Sequence, residues 1–188
     1  MAAPVTHLFI AMKSFKGDKN SLNYADFLIG SILPDFEFLV YSVGEEHVLT
    51  HDFTKRISKN KKFKFILKGM ENHLEVDEVV HNYINNKVNE IKLVNPLMVH
   101  GMIEFKLNQK VIKDNKEIRH IMKIIKERIY EDFLVDELAG FFNVSRTRVI
   151  KILHDALIAM NPKVTKSYFL TAIVWFYLAR QKDYKDLE

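Results

Sequence analysis

The chain has 188 residues, 48% of them hydrophobic and 28% charged, with only six glycines and four prolines. This excludes a disordered or strand-and-turn-dominated chain and leaves enough length for one domain with a proper core. There is no cysteine, so disulfides are excluded and any zinc site must draw on His, Asp and Glu; the net charge of +4 suits a phosphate-bearing, nucleic-acid or anionic-membrane partner without requiring one.

The start, Met1-Ala2-Ala3-Pro4-Val5-Thr6-His7, has no positive n-region and places His7 inside an apolar stretch, so it reads as mature sequence rather than a signal peptide. Hydrophobic periodicity predicts helices over 5–15, 22–41, 62–90, 96–109, 115–130, 132–142, 145–159 and 165–181, with no alternating strand pattern. Breakers at Gly17-Asp18, Gly44, Asn95-Pro96 and Asn161-Pro162 mark several borders. Pro34 falls inside the second predicted helix and is expected to kink it beside Asp35. The basic stretch from Lys55 to Lys64 is expected to be a solvated connection. The most apolar segment, Tyr168 to Ala179 with Trp175, is shorter than the ~20 residues of a spanning helix, so a buried helix and a cytoplasmic protein with no transmembrane segment are expected. The expected fold is all-α, one compact multi-helix domain over 1–188. Residues 1–110 form a half rich in metal-type donors, and 111–188 supply helices that complete the core.

Six of the eight histidines lie in the first 104 residues. His73, Asp77 and His81 are spaced i, i+4, i+8, and His100 and Glu104 are spaced i, i+4, so each set shares one helix face. Imidazole nitrogen and carboxylate oxygen suit zinc and similar divalent metals. Asp35 and His7 sit beside apolar residues, where a buried charge would be costly without a partner, and a shared cation removes that cost for all of them together. Glu71, Glu75 and Glu78 read as solvated face residues, and His47, His120 and His154 as ordinary ones.

The order of these motifs resembles the zinc-dependent phospholipase C family. The resembling elements are His7, Gly30-Ser31-Ile32-Leu33-Pro34-Asp35, Thr50-His51, Gly69-x3-His73-x3-Asp77 and His100-x3-Glu104, together a little over half the chain. The resemblance implies an all-helical phosphodiesterase with two or three zinc ions. Asp35, His51, His73 and Asp77 would surround one ion, and Asp77 would bridge to a second that also takes His7. His81, His100 and Glu104 would hold a third. The family's second ion also takes the amino group of an N-terminal tryptophan, and this chain starts Met1-Ala2 with no tryptophan nearby. The interval from Asp77 to His81 is also shorter than the family's. The implied activity is hydrolysis of a phosphoester, phospholipid among the candidates, with Asp35 as catalytic residue.

Two other readings compete. His51-Asp52 is similar to the doublet of HD-type metal phosphohydrolases, a scheme that leaves Asp35, His73, His100 and Glu104 unexplained; Asp52 reads more simply as a cap or surface acid. Residues 135–153 resemble a helix-turn-helix. There Asn143 would take a left-handed turn position, Ser145 would cap a second helix, Val149 and Leu153 would pack inward, and Arg146, Arg148 and Lys151 would be available to nucleic acid.

Overall fold

The computed structural model describes residues 4–35, 53–90 and 96–159. Among these residues it is all-helical, one domain built of eight α-helices. The predicted helix over 165–181, with Trp175, lies outside the described residues.

Helix α1 (Pro4–Ser14) opens with proline at its first position, where the missing amide hydrogen is of no consequence. It buries Val5, Leu8, Ala11 and Met12, one stripe at helical spacing. Helix α2 (Leu22–Gly30) is capped by Ser21, whose side chain accepts from the Tyr24 amide at 3.3 Å. The expected kink at Pro34 is instead an ending. The helix stops at Gly30, and residues 33–35 form a 3-10 turn closed by the Asp35 amide donating to the Ile32 carbonyl at 3.1 Å. Proline at 34 offers no hydrogen to the Gly30 carbonyl and its ring would collide with it, so continuing the helix was the costlier choice.

The basic connection is also more structured than expected. Helix α3 (Thr54–Ile57) and a 3-10 turn (Lys61–Phe63) occupy it, and Phe53, Ile57 and Phe63 are fully buried while the lysines between them face water. Three apolar anchors in a cationic stretch are enough to pin it to the core.

Helix α4 (Lys64–Glu90) has 27 residues, about 40 Å at 1.5 Å per residue, and is the spine of the fold. It crosses α2 through two glycines. A Cβ on Gly30 would stand 2.0 Å from the Ile66 carbonyl oxygen, and one on Gly69 would stand 2.1 Å from the Phe27 carbonyl oxygen. The two backbones therefore touch where no side chain intervenes. Helix α5 (Pro96–Asp114) packs on α1 and α4, and α6 (Glu117–Arg128) packs on α1 and α2. An ion pair from Arg128 Nε to Asp26 Oδ1 at 2.9 Å ties α6 to α2.

Helices α7 (Asp132–Phe142) and α8 (Arg146–Ala159) form a hairpin. Asn143 sits at φ 53°, ψ 46°, the left-handed position that ends α7. The Ser145 hydroxyl accepts from the Arg148 amide at 3.3 Å, and Val149 and Leu153 are buried.

Candidate metal centre

Three helical segments deliver ionisable side chains to one buried point: His7 from α1, Asp35 from the turn after α2, and His73 and Asp77 from one face of α4. Their exposures are 0%, 2%, 1% and 7%, far below what free charges tolerate. Donor atoms of His7, Asp35 and His73 all lie within 4.8 Å of one another. Asp77 is shared, one oxygen 3.2 Å from His7 Nε2 and the other 3.2 Å from His73 Nε2. Asp35 Oδ1 stands 4.0 Å from His73 Nε2. The two imidazoles stack face to face, with centroids 3.8 Å apart and planes inclined by 16°.

The glycine crossing sets this geometry. Because α2 and α4 touch at Gly30 and Gly69, the Ser31 carbonyl lies one turn from His73 and accepts from its Nδ1 at 2.8 Å. With Nδ1 holding the hydrogen, Nε2 is the nitrogen presented to the carboxylates, an orientation by backbone carbonyl common at metal-binding histidines. On the other side of α1, the Thr6 hydroxyl donates to Asn108 Oδ1 at 3.2 Å, a buried contact that fixes α1 on α5 next to His7.

The electrostatics follow from burial working against pairing. Burial alone lowers the His73 pKa, but the Asp77 hydrogen bond, the Asp35 charge and the Ser31 carbonyl outweigh it and raise the value above 6.5. For Asp77, burial works to raise the pKa, yet hydrogen bonds and charge from His7 and His73 hold it well below the usual carboxylate range.

Of the residues expected at the site, His7, Asp35, His73 and Asp77 are brought together. His51 lies outside the described residues, as does Asp52. His81 follows Asp77 on α4, and His100 and Glu104 lie on α5, which packs on α4; their side chains are outside the described residues. Glu71, Glu75 and Glu78 face solvent, as do His120 and His154. Sequence reasoning took Gly30 and Gly69 only as parts of motifs and missed the Ser31 carbonyl and the Thr6–Asn108 contact. Paired glycines ahead of the ligand-type residues on two helices were the available signal.

The donor set fits a divalent metal. Imidazole nitrogens and a carboxylate oxygen converge from different segments, one imidazole already oriented from behind and a further carboxylate at hand. Comparison of the chain with protein-family models, with curated proteins and with solved structures found no match. Among the described residues no helix is long and apolar enough to cross a membrane.

Proposed function

We propose that the chain is a metal-dependent phosphoester hydrolase, acting on a phosphodiester in the manner of the zinc-dependent phospholipases C it resembles. The observation that carries the reading is the convergence of His7, Asp35 and His73 donors within 4.8 Å in a buried setting. His7, Asp35 and His73 would hold the first ion, with Asp77 positioned to share it. His51, His81, His100 and Glu104 are the proposed further ligands on sequence grounds. A divalent metal there supplies Lewis acidity toward a phosphoryl oxygen and makes water a competent nucleophile near neutral pH.

The chain's own groups have separable tasks. The Ser31 carbonyl keeps the proton of His73 on Nδ1 and its Nε2 available. Without an ion, Asp77 accepts from both imidazoles through its two oxygens; with one bound, those Nε2 atoms would give up their hydrogens and turn to the metal. Asp35, on a turn rather than a helix, is the carboxylate assigned to orient the attacking water and take its proton.

The competing reading is a metal-free His–Asp network, favoured by the fact that Asp77 contacts both histidines directly. Metal analysis of protein purified without chelator, followed by a panel of phosphodiester substrates, separates the two. The expected result is bound zinc and metal-dependent hydrolysis, both lost in His73→Ala and Asp77→Ala. Wild-type metal content in the two variants, or no metal in the parent even after zinc is added, would sink the proposal.

A further inference from the structure

Away from this centre, the far ends of α1 and α2 and the start of α4 border an open cleft of about 400 Å³ with an unusual lining. Its lining includes the aromatic rings of Phe15, Phe27 and Phe65 together with Lys16 and Lys68. The Phe15 ring lies 5.2 Å from Phe27 and 6.4 Å from Phe65, so the aromatic wall is continuous. Lys64 and Lys68 both stand over the Phe65 ring, at 5.7 and 5.6 Å. Asp18 is the one acid among the described lining residues, and its Oδ1 already accepts from the Asn20 amide at 2.9 Å.

The surroundings extend the same character. Every charged residue from Lys55 to Lys68 is a lysine or arginine. Leu22, between the lining residues Ser21 and Asn23, leaves 64% of its surface in water although it opens α2. A leucine exposed among lysines beside an aromatic cleft contributes nothing to this fold's core.

We propose that this face docks the chain on an anionic phospholipid surface, with a headgroup phosphate in the cleft between Lys16 and Lys68 and Leu22 entering the interface. Charge complementarity selects the partner, since cationic side chains near an anionic leaflet attract it additively and an exposed apolar residue adds to that attraction only where hydrocarbon is available. Nucleic acid would satisfy the lysines but offers no such place to Leu22. The inference uses none of the metal-type residues and stands whether or not the protein hydrolyses phosphoesters.

Co-sedimentation of the full chain with phosphatidylcholine vesicles, with and without phosphatidylserine, tests it. Binding should require phosphatidylserine and fall as salt is raised. Lys16→Gln and Lys68→Gln should each weaken partitioning about fivefold, as expected for one surface charge. Leu22→Ser should weaken it too, whereas Lys151→Gln on α8 should leave it unchanged. All are exposed positions, so helix content should be unaltered. No binding of the unaltered chain at low salt, indifference to the Lys16, Lys68 and Leu22 changes, or tighter binding of duplex DNA through the same lysines without regard to Leu22 would each overturn the proposal.

Discussion

The His7–Asp35–His73–Asp77 centre and the α7–α8 hairpin use the same chemical groups to opposite ends. In the centre, four ionisable side chains are sealed from water, and two imidazoles divide one carboxylate between them. In the hairpin, Arg146 reaches both Asp132 and Asp136, but all three are exposed, and Arg56 meets Glu137 at 3.1 Å in a half-exposed pair. Water sets the difference. A buried ionisable group without its partner retains its full desolvation cost, whereas an exposed one simply returns to solvent. Pairing in the first region therefore carries stability, and in the second it adds little.

The strongest way to break this contrast is Asp77→Ala. Removing the shared carboxylate takes the anionic partner from two buried imidazoles, of which His73 keeps the Ser31 carbonyl, and loss of about 3–5 kcal/mol is expected by denaturant unfolding. The pH profile of the metal-free parent sharpens the point. The depressed Asp77 pKa contributes stability that is present above the ordinary carboxylate value of 3.8 and lost as pH falls through its lower folded value. The raised His73 pKa contributes stability that is full below 6.5 and lost as pH rises through its higher folded value. Metal-free protein should therefore be most stable between these limits, and the profile should flatten in Asp77→Ala. Zinc acts the other way, since ligation needs neutral imidazole, so the increment it adds should grow as pH rises. A metal-independent profile would leave only the His–Asp network.

A pair of helical glycines carries the comparison to smaller effects. Gly69→Ala would drive a methyl group to 2.1 Å from the Phe27 carbonyl oxygen and 2.8 Å from the Ser31 amide nitrogen, both main-chain atoms that cannot swing away. Overpacking of this kind costs about 1–3 kcal/mol and should outweigh the gain in helix propensity. Separation of α2 from α4 should also loosen the Ser31–His73 bond, read as weakened zinc affinity. The nearest described atoms to a methyl group in Gly140→Ala on α7 are those of the Arg56 guanidinium tip, at 2.6 Å. That side chain is flexible and half-exposed, so the propensity term should prevail, with stabilisation of roughly 0.5–1 kcal/mol in the same unfolding assay. Equal signs for the two glycines would contradict the account of the helix crossing.

The extent to which these features were legible in the sequence tracks how local their causes are. Helical period, the Asn143 turn and the Ser145 cap are short-range signals, and the structure places each where the pattern indicates. The end of α2 at Gly30 was misjudged because proline permits either a kink or a stop, and neighbours in space decide which. Phe53, Ile57 and Phe63 were hidden by the lysines around them, since charge density masks sparse anchors. At the centre, spacing put His73 and Asp77 on one face, but which distant residues face them is a tertiary fact. That His7 stacks on His73, and that a main-chain carbonyl orients the ring, follows from the glycine crossing and from no periodicity.

The smallest expected effect is the most useful for the hairpin. Arg146→Ala removes a side chain that bridges Asp132 and Asp136, and the raised Arg146 pKa reflects those hydrogen bonds first. Yet both carboxylates stand in water and recover their hydration when the arginine is gone, while the freed rotamers offset what attraction is lost. No resolvable shift in the unfolding midpoint is expected at physiological salt. The same variant examines the helix-turn-helix reading from the other side. Two carboxylates on the preceding helix offset the charge of this arginine where a phosphate would lie, so its loss should leave any weak duplex affinity and its salt slope unchanged. A slope reduced by about one in Arg146→Ala would instead assign that arginine to a phosphate and make α8 a nucleic-acid-binding element.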